Sequence, residues 1–107
     1  QTRSYCHIFD ATVMILLSIF KGKEFVYNIG NPYEEVNAET IANKIGKVTN
    51  QNLNLAKKVP YPENYPNDEP KRRCPSIKNF SSEFKFKPKI KLNTGLKMFL
   101  NYAKKNF

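Results

Sequence analysis

Apolar residues recur at the spacing of an α-helix in four stretches of the chain. The first, residues 11–20, is apolar on most faces and is followed by Gly22, a residue type that commonly ends helices. Three further stretches carry a one-sided apolar stripe behind a polar residue that can cap a helix. The pattern predicts four helices, with N-caps at Asp10, Asn37, Ser76 and Asn93.

The stripes indicate which face each of the last three helices packs. They consist of Ile41, Ile45 and Val48, of Ile77, Phe80 and Phe84, and of Leu96, Phe99, Leu100 and Ala103. Lys44 and Lys47 are expected on the exposed face of their helix. The run over residues 11–20 differs, because a helix apolar on most faces needs cover on most sides. The chain offers little cover, so we expect this helix to pack on missing structure or to drive self-association into a homo-oligomer.

Extended segments lie between the predicted helices. Strands are predicted over residues 3–9, 25–30 and 52–59, from β-branched and aromatic content or from alternation of apolar and polar residues. Residues 60–70 hold four prolines and predict an irregular loop. Residues 85–91 alternate lysine with apolar residues, which indicates an extended connection with one basic face. Helices and short strands together indicate an α/β chain of one domain.

Composition limits the partners of the chain. Its 107 residues carry a net charge of +9, which favours anionic partners such as nucleic acids, membrane surfaces or phosphorylated small molecules. The longest apolar run is about half the length of a bilayer-spanning helix, so no membrane association is expected. Cys6 and Cys74 show no paired or metal-ligand spacing and are interpreted as free thiols of a cytoplasmic protein.

Residues 69–84 hold the strongest candidate for binding chemistry. Arg72 and Arg73 lie between Pro70 and Pro75, so two guanidinium groups are held in a stiffened loop before a packed helix. Each guanidinium presents a planar fork of donors that suits a doubly charged anion such as a diphosphate. The alternative from these residues alone is a solvated basic loop.

Four motifs, in order, resemble nucleotide-sugar epimerases. Residues 3–10 (RSYCHIFD) are similar to the R-x-Y-x-H-V-x-D segment of that family, and residues 26–31 (VYNIGN) to its strand end. Residues 72–77 (RRCPSI) resemble its R-R-x-P-D-I segment, and residues 90–96 (IKLNTGL) its final helix start. The resemblance covers nearly the whole chain and indicates the extended short-chain dehydrogenase/reductase group of epimerases, 4,6-dehydratases and UDP-glucuronate decarboxylases.

The resemblance implies the fold and the binding residues. Residues 1–107 would be a single partial domain, the C-terminal substrate-binding lobe of a Rossmann-type enzyme, with strand 25–30 in the Rossmann sheet. Arg3 and Arg73 would bind the diphosphate of a UDP- or dTDP-linked sugar, with Gln1 and Arg72 as further contacts. Two other motif positions are expected to be structural, because Asp10 caps a helix and His7 packs. Ser76 stands where the family usually has Asp.

The chain lacks the catalytic motifs of that group. It has no G-x-x-G-x-x-G turn for NAD or NADP, and no Tyr-x-x-x-Lys pair, since Tyr102 is followed at that spacing by Asn106. The resemblance therefore implies a C-terminal fragment that has no catalytic residue, binds no cofactor alone and lacks its N-terminal Rossmann region. The alternatives are a stand-alone nucleotide- or anion-binding module and, last, a basic nucleic-acid-binding protein, for which no recognised motif is present.

Overall fold

The computed structural model describes residues 1–51 and 59–107. This part of the chain forms four α-helices and one three-stranded sheet, so the predicted α/β class with about four helices is confirmed. The strand predicted over residues 52–59 lies, apart from Val59, outside the described residues. In chain order the elements are β1 (Thr2–Ser4), α1 (Ile8–Lys21), β2 (Glu35–Asn37), α2 (Ala38–Thr49), β3 (Arg72–Arg73), α3 (Lys78–Phe84) and α4 (Leu92–Asn106).

Strand β1 is the centre of the sheet. It pairs with β2 in antiparallel fashion and with β3 in parallel fashion, so the order is β2-β1-β3. The predicted strand over residues 3–9 is wrong in length, because β1 ends at Ser4. Its two neighbours are only three and two residues long, and beyond Ser4 one backbone hydrogen bond follows, from the N–H of Tyr5 to the carbonyl of Glu34 at 3.1 Å. The loop predicted at Arg72 and Arg73 is also wrong, since these residues form β3.

Helix α1 begins earlier than predicted. His7 is the N-cap, and its Nδ1 accepts a hydrogen bond from the backbone N–H of Phe9 at 3.2 Å. The prediction that Asp10 caps this helix is therefore wrong. Asp10 is buried in the first turn, where its Oδ2 accepts from the backbone N–H groups of Lys89 and Ile90 at 3.0 and 2.8 Å. Asp10 still has a structural role, as predicted, because its carboxylate connects α1 by these hydrogen bonds to the segment before α4.

The hydrophobic core lies between α1 and α3. Among the described residues, the buried apolar side chains are Met14 of α1, Ile77 and Phe80. Tyr27 and Phe84 are partly buried against them. The apolar stripe predicted for α3 is thus confirmed, but its cap is not. The helix begins at Lys78 behind Ile77, without a side-chain cap hydrogen bond, so the assignment of Ser76 as N-cap is wrong.

The other side of α1 is uncovered in this structure. Seven apolar residues of the helix are exposed, namely Ile8, Phe9, Val13, Ile15, Leu16, Ile19 and Phe20. The chain exposes 8745 Å² in total, whereas a compact monomer of its mass exposes about 6,100 Å². The expectation that this helix lacks cover within the chain is confirmed for the described residues. Self-association remains a prediction.

The strand predicted over residues 25–30 is not formed. These residues carry no strand assignment, and Phe25 and Val26 at its start are exposed. A strand needs a neighbour to receive its backbone hydrogen bonds, and no described segment lies in that position. The membership of this segment in the sheet of a longer protein stays a prediction.

Helices α2 and α4 pack against each other. The predicted cap of α2 is confirmed, since Asn37 Oδ1 accepts from the backbone N–H of Thr40 at 2.8 Å. Asn93 is not a cap, because α4 begins at Leu92 and the Asn93 Oδ1 instead accepts from Lys44 Nζ at 3.0 Å. Lys44 is consequently half-buried rather than exposed. The predicted stripes meet in an apolar cleft lined by Ile45, Val48, Thr49, Leu96, Phe99 and Leu100.

The segments predicted to be irregular are confirmed. Residues 60–70 contain turns but no helix or strand, and residues 85–91 form a connection without helix or strand, which begins with Lys85 in the left-handed conformation. In that connection the lysines are exposed and the intervening apolar residues are half-buried, as the alternation predicts. None of the helices within residues 1–51 and 59–107 has the length and apolar character required to cross a membrane.

Removing the Asp10 carboxylate tests its structural role. In Asp10→Ala, the N–H groups of Lys89 and Ile90 lose their acceptor at a site where Asp10 is only 5% exposed. We expect the free energy of unfolding to fall by about 2–4 kcal/mol, measured by urea denaturation. Asp68→Ala, which removes an exposed carboxylate, should leave stability nearly unchanged. Equal stability of both variants would contradict the assignment.

Candidate functional site

The pairing of β1 with β3 brings two distant arginines together. Arg3 and Arg73 are opposite each other in the parallel register, and the backbone N–H of Thr2 donates to the carbonyl of Lys71 at 2.9 Å. Because neighbouring residues of a strand face opposite sides, Arg73 and Arg72 point to different faces of the sheet. The sheet therefore places the side chains of the two adjacent arginines in two separate environments.

The Arg3 guanidinium is held by four acceptors. Its Nη1 donates to the carbonyls of Thr2 and Pro70 at 2.8 and 3.1 Å. Its Nη2 donates to Glu69 Oε1 at 2.6 Å and to Gln1 Oε1 at 3.2 Å. A guanidinium fixed on several sides presents its charge in a defined direction, which is the condition for oriented binding of an anion.

Arg73 contacts the same carboxylate as Arg3. Its Nη2 lies 3.2 Å from each oxygen of Glu69. The Arg73 side chain is 58% exposed, whereas those of Arg3 and Glu69 are 28% and 26% exposed. We call Arg3, Arg73 and Glu69 the arginine cluster. It carries two positive charges and one negative charge, and it is open to solvent on the Arg73 side.

Arg72 lies outside the arginine cluster. Its Nε and Nη2 donate to the two oxygens of Glu35 at 2.8 and 2.7 Å, and Thr2 Oγ1 donates to Glu35 Oε1 at 2.6 Å. The hydrogen bonds from Arg72 and Thr2 lower the pKa of Glu35 from 4.5 to about 2. One carboxylate thus links all three strands, and Arg72 has a structural partner rather than a place beside Arg73.

Gln1 extends the arginine cluster toward the proline-rich loop. Its Nε2 donates to the hydroxyl of Tyr65 at 2.9 Å, while its Oε1 accepts from Arg3. The ring of Tyr65 lies against that of Tyr61, with 4.3 Å between centroids. The hydrogen bond between Gln1 and Tyr65 therefore attaches the loop to the residue before β1. The same loop places Glu69 beside the two arginines.

Sequence reasoning missed the acidic residues of both sites. Glu69 is four residues before Arg73, a spacing that signals an ion pair on a helix but carries no such meaning in a loop. Glu35 reaches Arg72 only through the pairing of β1 with β2 and β3. Neither contact has a local sequence signal, so only the fold brings these charges together.

The two cysteines and His7, which are the other candidates for chemistry, lie in surroundings that fit structural roles. Cys6 and Cys74 are free thiols, and burial together with the nearby Asp10 carboxylate raises the pKa of Cys6. His7 caps α1 and lies against Gly95, where an added Cβ would stand 2.9 Å from its ring. No group of three or more metal-ligating side chains occurs in residues 1–51 and 59–107.

Comparison with known proteins gives two distant relatives. UDP-glucuronic acid decarboxylase 3 and UDP-glucuronic acid decarboxylase 5 of Arabidopsis thaliana are each 32% identical to the chain over 97 residues. The match covers 90% of this chain but spans only 26% of the length of either relative. No protein-family profile matches the chain, and no solved structure matches it significantly. The resemblance seen in the motifs is confirmed as a distant similarity to these decarboxylases.

The Glu35 contacts predict a dependence of stability on pH. The folded-state pKa of about 2 lies below the ordinary value of 4.5. The stabilisation is therefore complete above pH 4.5 and is lost as the pH falls toward 2. Thermal unfolding followed by circular dichroism should show that Glu35→Gln loses less stability across this window than the wild type. Glu63→Gln, which removes an exposed carboxylate of the loop, should behave as the wild type. If Glu35→Gln matches the wild type at every pH, the link between strands does not stabilise the fold.

Proposed function

We propose that this chain is the C-terminal nucleotide-sugar-binding part of an NAD-dependent sugar-nucleotide enzyme, in which Arg3 and Arg73 bind the substrate diphosphate. The observation that carries the proposal is the meeting of these two arginines, far apart in sequence, on one carboxylate. The distant similarity to two decarboxylases of UDP-glucuronic acid supports the same assignment.

The chemistry of the arginine cluster suits a diphosphate. A guanidinium group donates two parallel hydrogen bonds to a phosphate, and two such groups can contact the two phosphates of one ligand. Arg73 is the more exposed and contacts the ligand from solvent, while Arg3 is fixed behind it by backbone carbonyls. Gln1 adds an amide beside Arg3. Arg72 contributes indirectly, through the sheet that holds Arg73.

The substrate class follows from the relatives. Both are named for the removal of carbon dioxide from UDP-glucuronic acid, so we infer a UDP-linked sugar as the ligand and a decarboxylase as the complete enzyme. Epimerases and dehydratases of the family that the motifs resemble are the competing reaction types. All of them share the diphosphate that the arginine cluster would bind.

The residues of this chain do not form a dinucleotide site. The four glycines stand at positions 22, 30, 46 and 95, without the close spacing of a turn that holds a pyrophosphate. None of the tyrosines is followed by lysine at the spacing of the catalytic pair. The chain therefore binds and orients substrate in the proposal, and the NAD or NADP chemistry belongs to the rest of the complete enzyme.

The same proposal accounts for the uncovered apolar face of α1. Exposed Phe25 lies beside Ile15 and Ile19 of this face, and the next residue, Val26, is exposed as well. In a complete enzyme this surface would pack against the Rossmann region, and residues 25–30 would gain a neighbouring strand. The free thiols fit the reducing conditions of the cytoplasm.

Substitution of Arg73 tests the binding role directly. We expect Arg73→Ala to weaken UDP binding by about 1–3 kcal/mol, because a charge-assisted contact to phosphate is lost, as measured by isothermal titration calorimetry. Lys71→Ala removes an exposed positive charge two residues away and should have a much smaller effect. Arg73→Lys should recover only part of the affinity, since lysine lacks the planar fork. Equal losses in Lys71→Ala and Arg73→Ala would indicate a diffuse charge effect and contradict the assigned contact.

A further inference from the structure

The Glu69 carboxylate lies where the proposed anion would bind. It accepts from Arg3 at 2.6 Å and lies 3.2 Å from Arg73, so its two oxygens already bridge both guanidinium groups. A carboxylate and the face of a phosphate group are alike in charge and in offering two acceptor oxygens to one fork. We propose that Glu69 is an internal competitor for this site, which a nucleoside diphosphate must displace from Arg3 and Arg73.

The surrounding backbone allows such a displacement. Residues 60–70 form no helix or strand, but Glu69 and Pro70 are fixed, since the Glu69 N–H donates to the Pro66 carbonyl and the Pro70 carbonyl accepts from Arg3. Within residues 1–51 and 59–107, the side chain of Glu69 has no hydrogen-bond partner other than the two arginines. Rotation about its own bonds therefore releases the carboxylate, while β1 and β3 keep the arginines in place.

The charges of the arginine cluster determine which anions can displace Glu69. With Glu69 in place, the two guanidinium groups retain one uncompensated positive charge. An anion with a single negative charge supplies no more charge than the Glu69 carboxylate that it displaces. A ligand with two or more negative charges neutralises both arginines. Arg72 offers no alternative site, because both oxygens of Glu35 occupy it. Glu69 thus makes the cluster selective for multiply charged anions such as a diphosphate.

This inference rests on the proposed function, and its test separates the two. UDP binding is measured by calorimetry for the wild type, Glu69→Gln and Glu63→Gln, with folding checked by circular dichroism. We expect Glu69→Gln to bind UDP about three- to tenfold more tightly than the wild type, because its amide carries no charge to compete. Glu63→Gln removes the same charge from an exposed position of the same loop and should bind as the wild type does.

Each other outcome overturns the inference alone or both claims together. If Arg73→Ala binds UDP more weakly than the wild type, while Glu69→Gln binds no more tightly than the wild type, the site stands and the competition is refuted. The competition is likewise refuted if Glu63→Gln gains as much affinity as Glu69→Gln, because the gain then reflects overall charge. Absence of UDP binding in all the proteins would overturn the proposed function and the inference together.

Discussion

The parallel pairing of β3 with β1 is the constraint on which the candidate site depends. It joins segments that are about 70 residues apart in sequence, Thr2–Ser4 and Arg72–Arg73, and it places Arg73 opposite Arg3. The alternation of side chains along a strand then directs Arg72 to Glu35 and Arg73 to Glu69. A two-residue strand has little stability of its own, so its position relies on neighbouring contacts. The Arg72–Glu35 pair, which joins the two outer strands, is one of these.

Local signals predicted the helices well and their beginnings poorly. The stripe at Ile77, Phe80 and Phe84 follows from sequence spacing alone, and it identified the side of α3 that forms the core. The caps depended on more than spacing. Asn37 caps α2 because its side chain is free to do so, whereas Asp10 and Asn93 are taken by Lys89, Ile90 and Lys44 from distant parts of the chain. A polar residue before an apolar stripe therefore marks a helix only to within a few residues.

The motifs predicted the two arginines of the candidate site but not the carboxylate that lies between them. Arg3 and Arg73 stood out because their neighbours match known segments, and their contact requires a sheet that local propensity does not predict. Glu69 could not be recognised as their partner, since an acidic residue in a proline-rich loop is ordinary in sequence. Its presence matters for the proposed site, because an anion that binds to the two arginines would have to compete with a carboxylate of the same chain.

The most direct test of this account observes the arginine side chains themselves. In an NMR titration with UDP, the side-chain N–H signals of Arg3 and Arg73 should shift together with one dissociation constant, while those of Arg72 should change little. Shifts confined to the lysines of residues 85–91, or a shift of only one arginine of the cluster, would show that the two guanidinium groups do not form one site. That result would contradict the central claim.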